Sequence, residues 1–508
     1  MNTIRIQNLR NLVDTGDIKL APLTILLGQN SSGKSSFLRA FPLLKQSAVT
    51  DTQGPILWVG NENGYVDFGS FDEAVNVQSE TISFTFTKHV TDRIPTFVNS
   101  SIINDPAKYP LLYFNDTVEY TIDIQNSKNT YISKASVKTR DVSGKTISIE
   151  VYYNDEGKMT SISLCDKEQR EYTDVDIDSD IFDNPLNDRN LSKSFGFRLP
   201  ENTFILKELN YKADPDILFS YLVLQGSASW KSMNEEAYDH NVKLIDKYRE
   251  KRLVPYYPDS FHDNPIPNDQ LIKAGRIAYL LSLFWQVDRL IYASIVNVHY
   301  MAPVRATAER FYRVRNYAVK EVDYQGKNLA EYLLNLSTEA LKDFHAWTLQ
   351  HFGLEFSVMA DHGILRLMVR NDDEENMLNV CDVGFGISQV LPILVELWSL
   401  AYSGKKATFV IEQPELHLHP TMQGRLMRAI ASVIVQDENH LSVIIETHSK
   451  TMVEALGAMI YHKQLKKDDV NVVLFKKKNS RRAEVTQTGF DDYGYLDHWQ
   501  FGFLDDEA

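Results

Sequence analysis

The chain has 508 residues, 43% of them apolar and 24% charged. That balance excludes a mainly disordered chain, a collagen-like repeat and a disulfide scaffold, and at about 150 residues per domain the length points to roughly three domains. Lys and Arg total 53 against 68 Asp and Glu, a net charge of −15, which excludes bulk attraction to nucleic acid or an anionic membrane and leaves only local basic patches.

The first residues, MNTIRIQNLRNL, lack the apolar run of a signal peptide. Ile4 to Leu9 and Ile18 to Leu20 alternate like strands, and Leu23 to Leu27 is a continuous apolar run that suits a strand buried on both faces. That run ends at Gly28, and a helix is expected over Ser35 to Lys45. From about 82 to 165, ISFTFT, VEYTIDI, YISKASVKT and TISIEVYY alternate between Asn, Asp and Gly breaks, which predicts antiparallel strands. Residues 166 to 192 are acidic, with Asp174, Asp176, Asp178 and Asp180 on alternate positions. A solvated loop is the plainer reading, and a metal or partner site the sharper one.

From about 200 to 350 the pattern turns helical. Ile277 to Val298 is the most apolar long stretch, but Asp288 and Arg289 interrupt it, so it reads as a buried helix. The expected location is therefore cytoplasmic, with no membrane partner. Cys165 and Cys381 lie far apart, which excludes a cysteine zinc cluster and fits a reducing compartment. No heptad run is long enough for a coiled-coil arm. After 350, strand and helix signals alternate as in a parallel sheet.

Four segments carry chemistry. Gly28-Gln29-Asn30-Ser31-Ser32-Gly33-Lys34-Ser35 fits the phosphate loop G-x-x-x-x-G-K-[ST] at every fixed position. Its glycines let backbone N–H groups wrap phosphate oxygens, Lys34 neutralises the β- and γ-phosphates, and the Ser35 hydroxyl suits Mg²⁺. A chance glycine turn explains neither the buried strand before it nor the helix after it. Asp382 to Gln389, DVGFGISQ, opens an apolar helix with two glycines and a serine, a second anion-binding terminus. A dimer that sandwiches ATP between the phosphate loop of one subunit and this terminus of the other uses both.

Ala407 to Ile411 is an apolar strand ending in Glu412-Gln413-Pro414-Glu415, where a phosphate-loop enzyme holds its Mg²⁺ shell. His417 and His419 invite a metal reading, but the turn offers no third or fourth ligand. Ser442 to Ile445 is a further strand, ending in Glu446-Thr447-His448-Ser449. His448 there suits a hydrogen bond to the γ-phosphate or attacking water.

In this order, GQNSSGKSS, DVGFGISQVLP, FVIEQPELHLHP and IIETHSK resemble the ABC-type ATPases of the overcoming-lysogenization-defect and SMC-like group, labelled AAA15 or AAA21. IRIQNLRNLVD, YVDFGSFDEAV, VHYMAPVRATAER and GYLDHWQFGFLDD support the resemblance, and residues 82 to 290 match least. It implies an α/β fold: a P-loop ATPase head built from both chain ends, with an antiparallel β-subdomain and a helical insertion. The implied parts are 1–80 with the phosphate loop, 81–200 as a β-rich insertion, 201–350 as a helical insertion, and 351–508 completing the head.

By the same resemblance the ligands are ATP and Mg²⁺. Gly28, Asn30, Ser31, Ser32, Gly33, Lys34, Ser35 and Ser36 look like the Walker A loop, and Gly384, Gly386, Ser388 and Gln389 like the signature segment that contacts a partner's γ-phosphate. Glu412 falls at the Walker B metal position beside Ser35, Gln413 at the usual catalytic-glutamate position, His419 in the loop that follows, and His448 at the switch histidine. Gln413 departs from the pattern, because an amide does not accept a proton usefully at neutral pH. Slow turnover is expected, with Glu415 or Glu412 as the carboxylates in reserve. Gln46 and Gln53 are the candidates for the Mg²⁺-sensing glutamine.

The 60 residues after His448 are too few for the Toprim-type nuclease domain that related proteins carry. The resemblance thus implies a homo-oligomeric sensor and scaffold in a bacterial anti-phage system such as Septu, retron-Septu or PARIS. Its separate effector is expected to be a nuclease, and its trigger a nucleic acid or phage protein. The competing expectation is an SMC-like ATPase that clamps DNA in maintenance or repair. A weaker third is a nuclease built on the acidic run 166–192. Two basic clusters, Arg305–Arg310–Arg313–Arg315 and Lys476–Lys478 with Arg481 and Arg482, are open to phosphates, an acidic partner or a neighbouring subunit; the plainer reading of the second is a solvated hairpin turn, and for the first an Arg reaching the nucleotide or a subunit interface is the sharper one.

Overall fold

The computed structural model describes residues 1–90 except 51, 53 and 61–63; residues 117–176 except 141–145, 156, 158 and 167–170; and residues 284–497 except 285, 286, 289, 316, 317, 372–375, 437–440 and 480. The chain forms two compact units: 1–5, 47–57 and 78–293 make the first, and 6–46, 58–77 and 294–508 the second. The helical stretches expected within 201–283, Gln53, Asp178, Asp180 and the last residues of the chain lie outside the described residues.

β1 (Thr3–Leu9) begins in the first unit and enters the second at Ile6, where it turns into β2 (Leu12–Asp14), pairing Gln7 with Asp14 and Leu9 with Leu12. After β3 (Ile18–Lys19) comes β4 (Leu23–Gly28), buried at all six positions as its unbroken apolar run requires. The phosphate loop follows, then helix α1 (Lys34–Val49). A one-turn helix, α2 (Phe71–Ala74), is closed by a capping box between Ser70 and Glu73.

The rest of this unit comes from far downstream. β11 (Val298–Met301), β16 (Ala407–Glu412), β17 (Leu441–Glu446), β18 (Val470–Asn479) and β19 (Arg482–Thr488) join β4 in one sheet of order β11-β16-β17-β4-β18-β19. All its pairs are parallel except β18–β19. Residues from both regions of the chain therefore build one sheet, and β4 lies between two strands from the last seventy residues.

Helices α5 (Phe385–Ser403), α6 (Pro420–Gln436) and α7 (Lys450–Tyr461) bury apolar faces in the same core as β4, β16 and β17. By length and composition α5 could cross a bilayer. Its Val390, Ile393, Leu394, Val395 and Leu397 are instead fully buried in this core. A smaller antiparallel sheet of β12 (Tyr312–Arg313), β14 (Ile364–Asn371), β13 (Leu354–Asp361) and β15 (Leu378–Asn379) carries α3 (Leu329–Leu334) and α4 (Thr338–Phe352). Residues 294–350, expected as part of a helical insertion, thus supply strands β11 and β12 as well as helices, and belong to the second unit.

The first unit carries the alternating strands predicted over 82–165. β5 (Ile82–His89), β6 (Thr117–Asn126), β7 (Thr130–Arg140), β8 (Thr146–Tyr153), β9 (Met159–Asp166) and β10 (Glu171–Asp176) form an antiparallel meander in chain order. β10, with Asp174 and Asp176, corrects the loop expected over 166–192, because its backbone pairs with the edge that β9 offers. β6 shows the cause most clearly, since Val118, Tyr120, Ile122 and Ile124 point inward and are at most 1% exposed. The Tyr120 hydroxyl donates to Asp288 Oδ1 at 2.7 Å, which satisfies a phenol buried in this apolar layer.

Candidate nucleotide and cation site

At the carboxyl end of β4 the chain must turn sharply. Gly28 passes so close to β18 that a Cβ there would lie 2.3 Å from the Phe475 carbonyl oxygen. Ser31 (φ 59°) and Gly33 (φ 106°) take left-handed conformations, which bends the loop around its own centre. Lys34 is 3% exposed and folds back across the loop, where Nζ donates to the carbonyls of Gly28 (2.7 Å) and Gln29 (2.8 Å). Burial lowers its pKa, against the pull of Glu446 and Glu415. An ammonium held by neutral carbonyls is a cation waiting for an anion. Ser32 Oγ is buried with no partner among the described residues, as expected of a loop built to meet oxygen atoms.

Beside the loop, two glutamates end neighbouring parallel strands in register, Glu412 on β16 and Glu446 on β17. Both oxygens of Glu412 are occupied. Arg39 Nη2 donates to Oε1 at 2.6 Å and Nε to Oε2 at 2.9 Å, and the Tyr300 hydroxyl donates to Oε2 at 2.8 Å. The bonds to Glu412 raise the pKa of Arg39; burial, then the Glu412 charge, raises that of Tyr300. Glu446 instead accepts from Ser35 Oγ on Oε1 at 2.8 Å, and its Oε2 is buried without a partner among the described residues. Burial, and then the charge of Glu412, pushes its carboxyl up to about 7 despite Ser35, Lys34 and Arg39. A serine hydroxyl and an underused carboxylate are hard oxygen donors, so these residues fit Mg²⁺.

The turn after β16 is strained. Gln413 has φ 46°, and its N–H donates to the Glu446 carbonyl at 2.8 Å. Arg305, 3% exposed, reaches the carbonyls of Glu412 (3.1 Å), Gln413 (3.2 Å) and Gln389 (3.4 Å). Burial brings its pKa down to about 10. Arg305 thus braces this turn against the start of α5 from inside the protein. Glu415 Oε1 accepts the His448 N–H at 2.7 Å, while its Oε2 is buried and unpartnered among the described residues. Burial, helped by the Lys34 charge, lowers the His448 pKa and favours the neutral imidazole. His419 is exposed, and its Nδ1 accepts only a long bond from the Thr421 N–H (3.4 Å).

The segment that resembles a signature motif begins α5. Gly384, at φ 117°, precedes the helix, and a Cβ on Gly386 would lie 2.7 Å from the His417 carbonyl oxygen. The Ser388 hydroxyl donates to the Phe385 carbonyl at 2.7 Å, and Gln389 is 2% exposed with its amide 3.4 Å from the Arg305 carbonyl. Both side chains are therefore engaged within the protomer. Gln46 is also engaged, since its amide donates to the Val66 carbonyl and accepts from the N–H groups of Tyr65 and Val66.

The structure brings together Gly28 to Ser36, Glu412, Gln413 and His448. Sequence reasoning missed Arg39 and Tyr300, and left Glu446 without a role. For Arg39 a signal existed, because it follows Ser35 by four residues and so shares its helix face. Lys477 and Arg481, from the basic cluster around 476–482, line a cavity of 420 Å³ together with Arg10, Asn11 and residues 31–36 of the loop. That cluster therefore borders the phosphate loop, whereas Lys478 pairs with Glu484 (3.1 Å).

A parallel sheet whose inner strand runs into a glycine loop and a helix, with acidic ends on the strands beside it, defines a P-loop nucleoside-triphosphatase. The chain belongs to the AAA ATPase domain family AAA_15, which residues 1–453 match; it is an ATPase. Among solved structures it is similar to the Smc head domain of Pyrococcus furiosus with an extended coiled coil, bound to the C-terminal domain of ScpA (9% identity, 96% of this chain and 96% of that chain, TM-score 0.36). It is also similar to the SMC head domain from Thermotoga maritima (8% identity, 96% and 97%, TM-score 0.35). A comparison with curated proteins finds no match.

Proposed function

We propose that this ATPase is the homo-oligomeric sensor and scaffold subunit of a bacterial anti-phage complex, holding a separate effector such as a nuclease in check until a nucleic acid or phage protein triggers it. ATP with Mg²⁺ binds the Gly28–Ser36 loop of one subunit and meets Gly386, Ser388 and Gln389 of another. The observation that carries the reading is Gln413, an amide in a strained turn at the position where this class of ATPase uses a carboxylate base. Lacking that base, the site hydrolyses slowly and holds its ATP-bound state for long periods, which suits a trap more than a motor. Ser388 and Gln389 have to exchange their present hydrogen bonds for the nucleotide, so closing the dimer includes a rearrangement at the start of α5.

The test is phage plating on cells carrying this gene with its neighbouring reading frames, wild type beside Lys34→Ala. Protection that disappears with Lys34→Ala is expected. No protection in either case, with duplex-DNA binding by the purified protein that strengthens with ATP, overturns the proposal in favour of an SMC-like clamp.

A further inference from the structure

Glu412 and Glu446 stand side by side on β16 and β17, yet only one is free to serve a cation. Glu412 is held on both oxygens by Arg39 and Tyr300. A carboxylate in a bidentate guanidinium pair has its charge compensated, and turning it toward a metal means breaking that pair within the core. Glu446 is the reverse case. It receives the single proton of Ser35 Oγ on one oxygen, and that donation leaves the lone pairs of the serine oxygen available. Its other oxygen is buried and has no partner among the described residues, a costly condition for a carboxylate unless the working state of the site supplies one.

We infer that Glu446, acting with Ser35, is the carboxylate that serves the nucleotide-bound cation, and that Glu412 with Arg39 and Tyr300 is the brace behind it. The inference rests on the ATP-binding reading of the phosphate loop. It moves the acidic role from the strand that precedes Gln413 to the adjacent strand, two residues before His448.

The test uses the purified full chain with a fluorescent ATP analogue, with and without Mg²⁺, and Mn²⁺ as a paramagnetic probe of the nucleotide-bound cation. Wild type should bind the analogue more tightly with Mg²⁺ by about tenfold or more. Glu446→Gln should keep the metal-free affinity, lose most of the Mg²⁺ gain and broaden or abolish the bound Mn²⁺ signal, while Glu412→Gln should keep the gain. The reverse pattern, with the gain intact in Glu446→Gln and lost in Glu412→Gln, overturns the inference. Should Glu446→Gln also lose metal-free binding, Glu446→Ala is read in its place, and Mn²⁺ affinity unchanged from wild type overturns the inference there too. Wild-type protein that binds no analogue under either condition overturns the ATP-binding reading itself, a distinct result.

Discussion

Lys34 is the residue whose removal isolates nucleotide affinity. Among the described residues its ammonium bonds loop carbonyls alone, and a charge-assisted contact to phosphate is worth about 1.5–3 kcal/mol. Lys34→Ala should therefore weaken ATP binding by about ten- to a hundredfold, with the melting temperature nearly unchanged. Calorimetric titration checks it, and equal affinities would refute the role of the loop. On the proposed function, Gln413 limits turnover. Restoring a carboxylate with Gln413→Glu should raise basal phosphate release, up to the 10²- to 10⁴-fold range typical of general-base help. Steady-state phosphate release measures this. Fast wild-type turnover that the substitution leaves unchanged would show that the base lies elsewhere.

At the scale of elements, ion pairs fasten α1 to the sheet and to α5. Arg39 on α1 holds Glu412 on β16, whose side chain is only 3% exposed. Arg39→Ala leaves that carboxylate buried without its cation, and because Arg39 is itself one-third exposed the loss should be about 2–3 kcal/mol, read by chemical denaturation. A second chain of charges runs from Lys45 on α1 through Glu321 (2.7 Å) to His299 on β11 (3.1 Å) and Glu396 on α5 (2.7 Å). Burial opposes the charge on His299, but the two glutamates outweigh it and lift the imidazole from 6.5 to about 9.

The folded pKa of His299 is the higher one, so its stabilisation is complete below about 6.5 and disappears as pH rises through 9. Glu321 runs the other way. Burial opposes its charge too, yet His299 and Lys45 draw it down to about 2, so its contribution holds above 4.5 and fades as pH falls toward 2. Melting temperature measured from pH 6 to pH 10 should decline for the wild type over the His299 window, and His299→Gln should flatten that decline. A wild-type curve matching the variant's would refute the coupling. These elements also show what was legible in advance. β4, the phosphate loop, α1 and the alternating strands β5 to β8 follow from local spacing and period. The partners of Arg39, Tyr300, Arg305 and Glu446 were not legible, because they lie 373, 112, 107 and 411 residues away in sequence. β11 is four residues long, too short for periodicity to separate it from a helix.

At the scale of the whole molecule, the proposed function has Ser388 of one subunit serve another subunit's nucleotide. On that proposal the chain has to pair, and closed symmetric dimers or higher even assemblies meet that need. Sedimentation with a non-hydrolysable ATP analogue should show at least a dimer, and Ser388→Arg should return it to monomer without weakening ATP binding to the single chain. A monomer at micromolar concentration with analogue bound would refute the pairing.

The position of β4 also sets a timetable. It is made first, as residues 23–28, yet its two sheet neighbours are residues 441–446 and 470–475. While the ribosome works through some four hundred codons, the phosphate loop has no strand on either side of it. ATP therefore cannot assist the nascent chain until β17 and β18 have left the exit tunnel and flank the loop's strand. Contacts this distant make folding slow and leave early apolar segments reliant on chaperones. A chain stopped before residue 441 leaves β4 without either of these sheet neighbours, so such a fragment should fail to bind nucleotide.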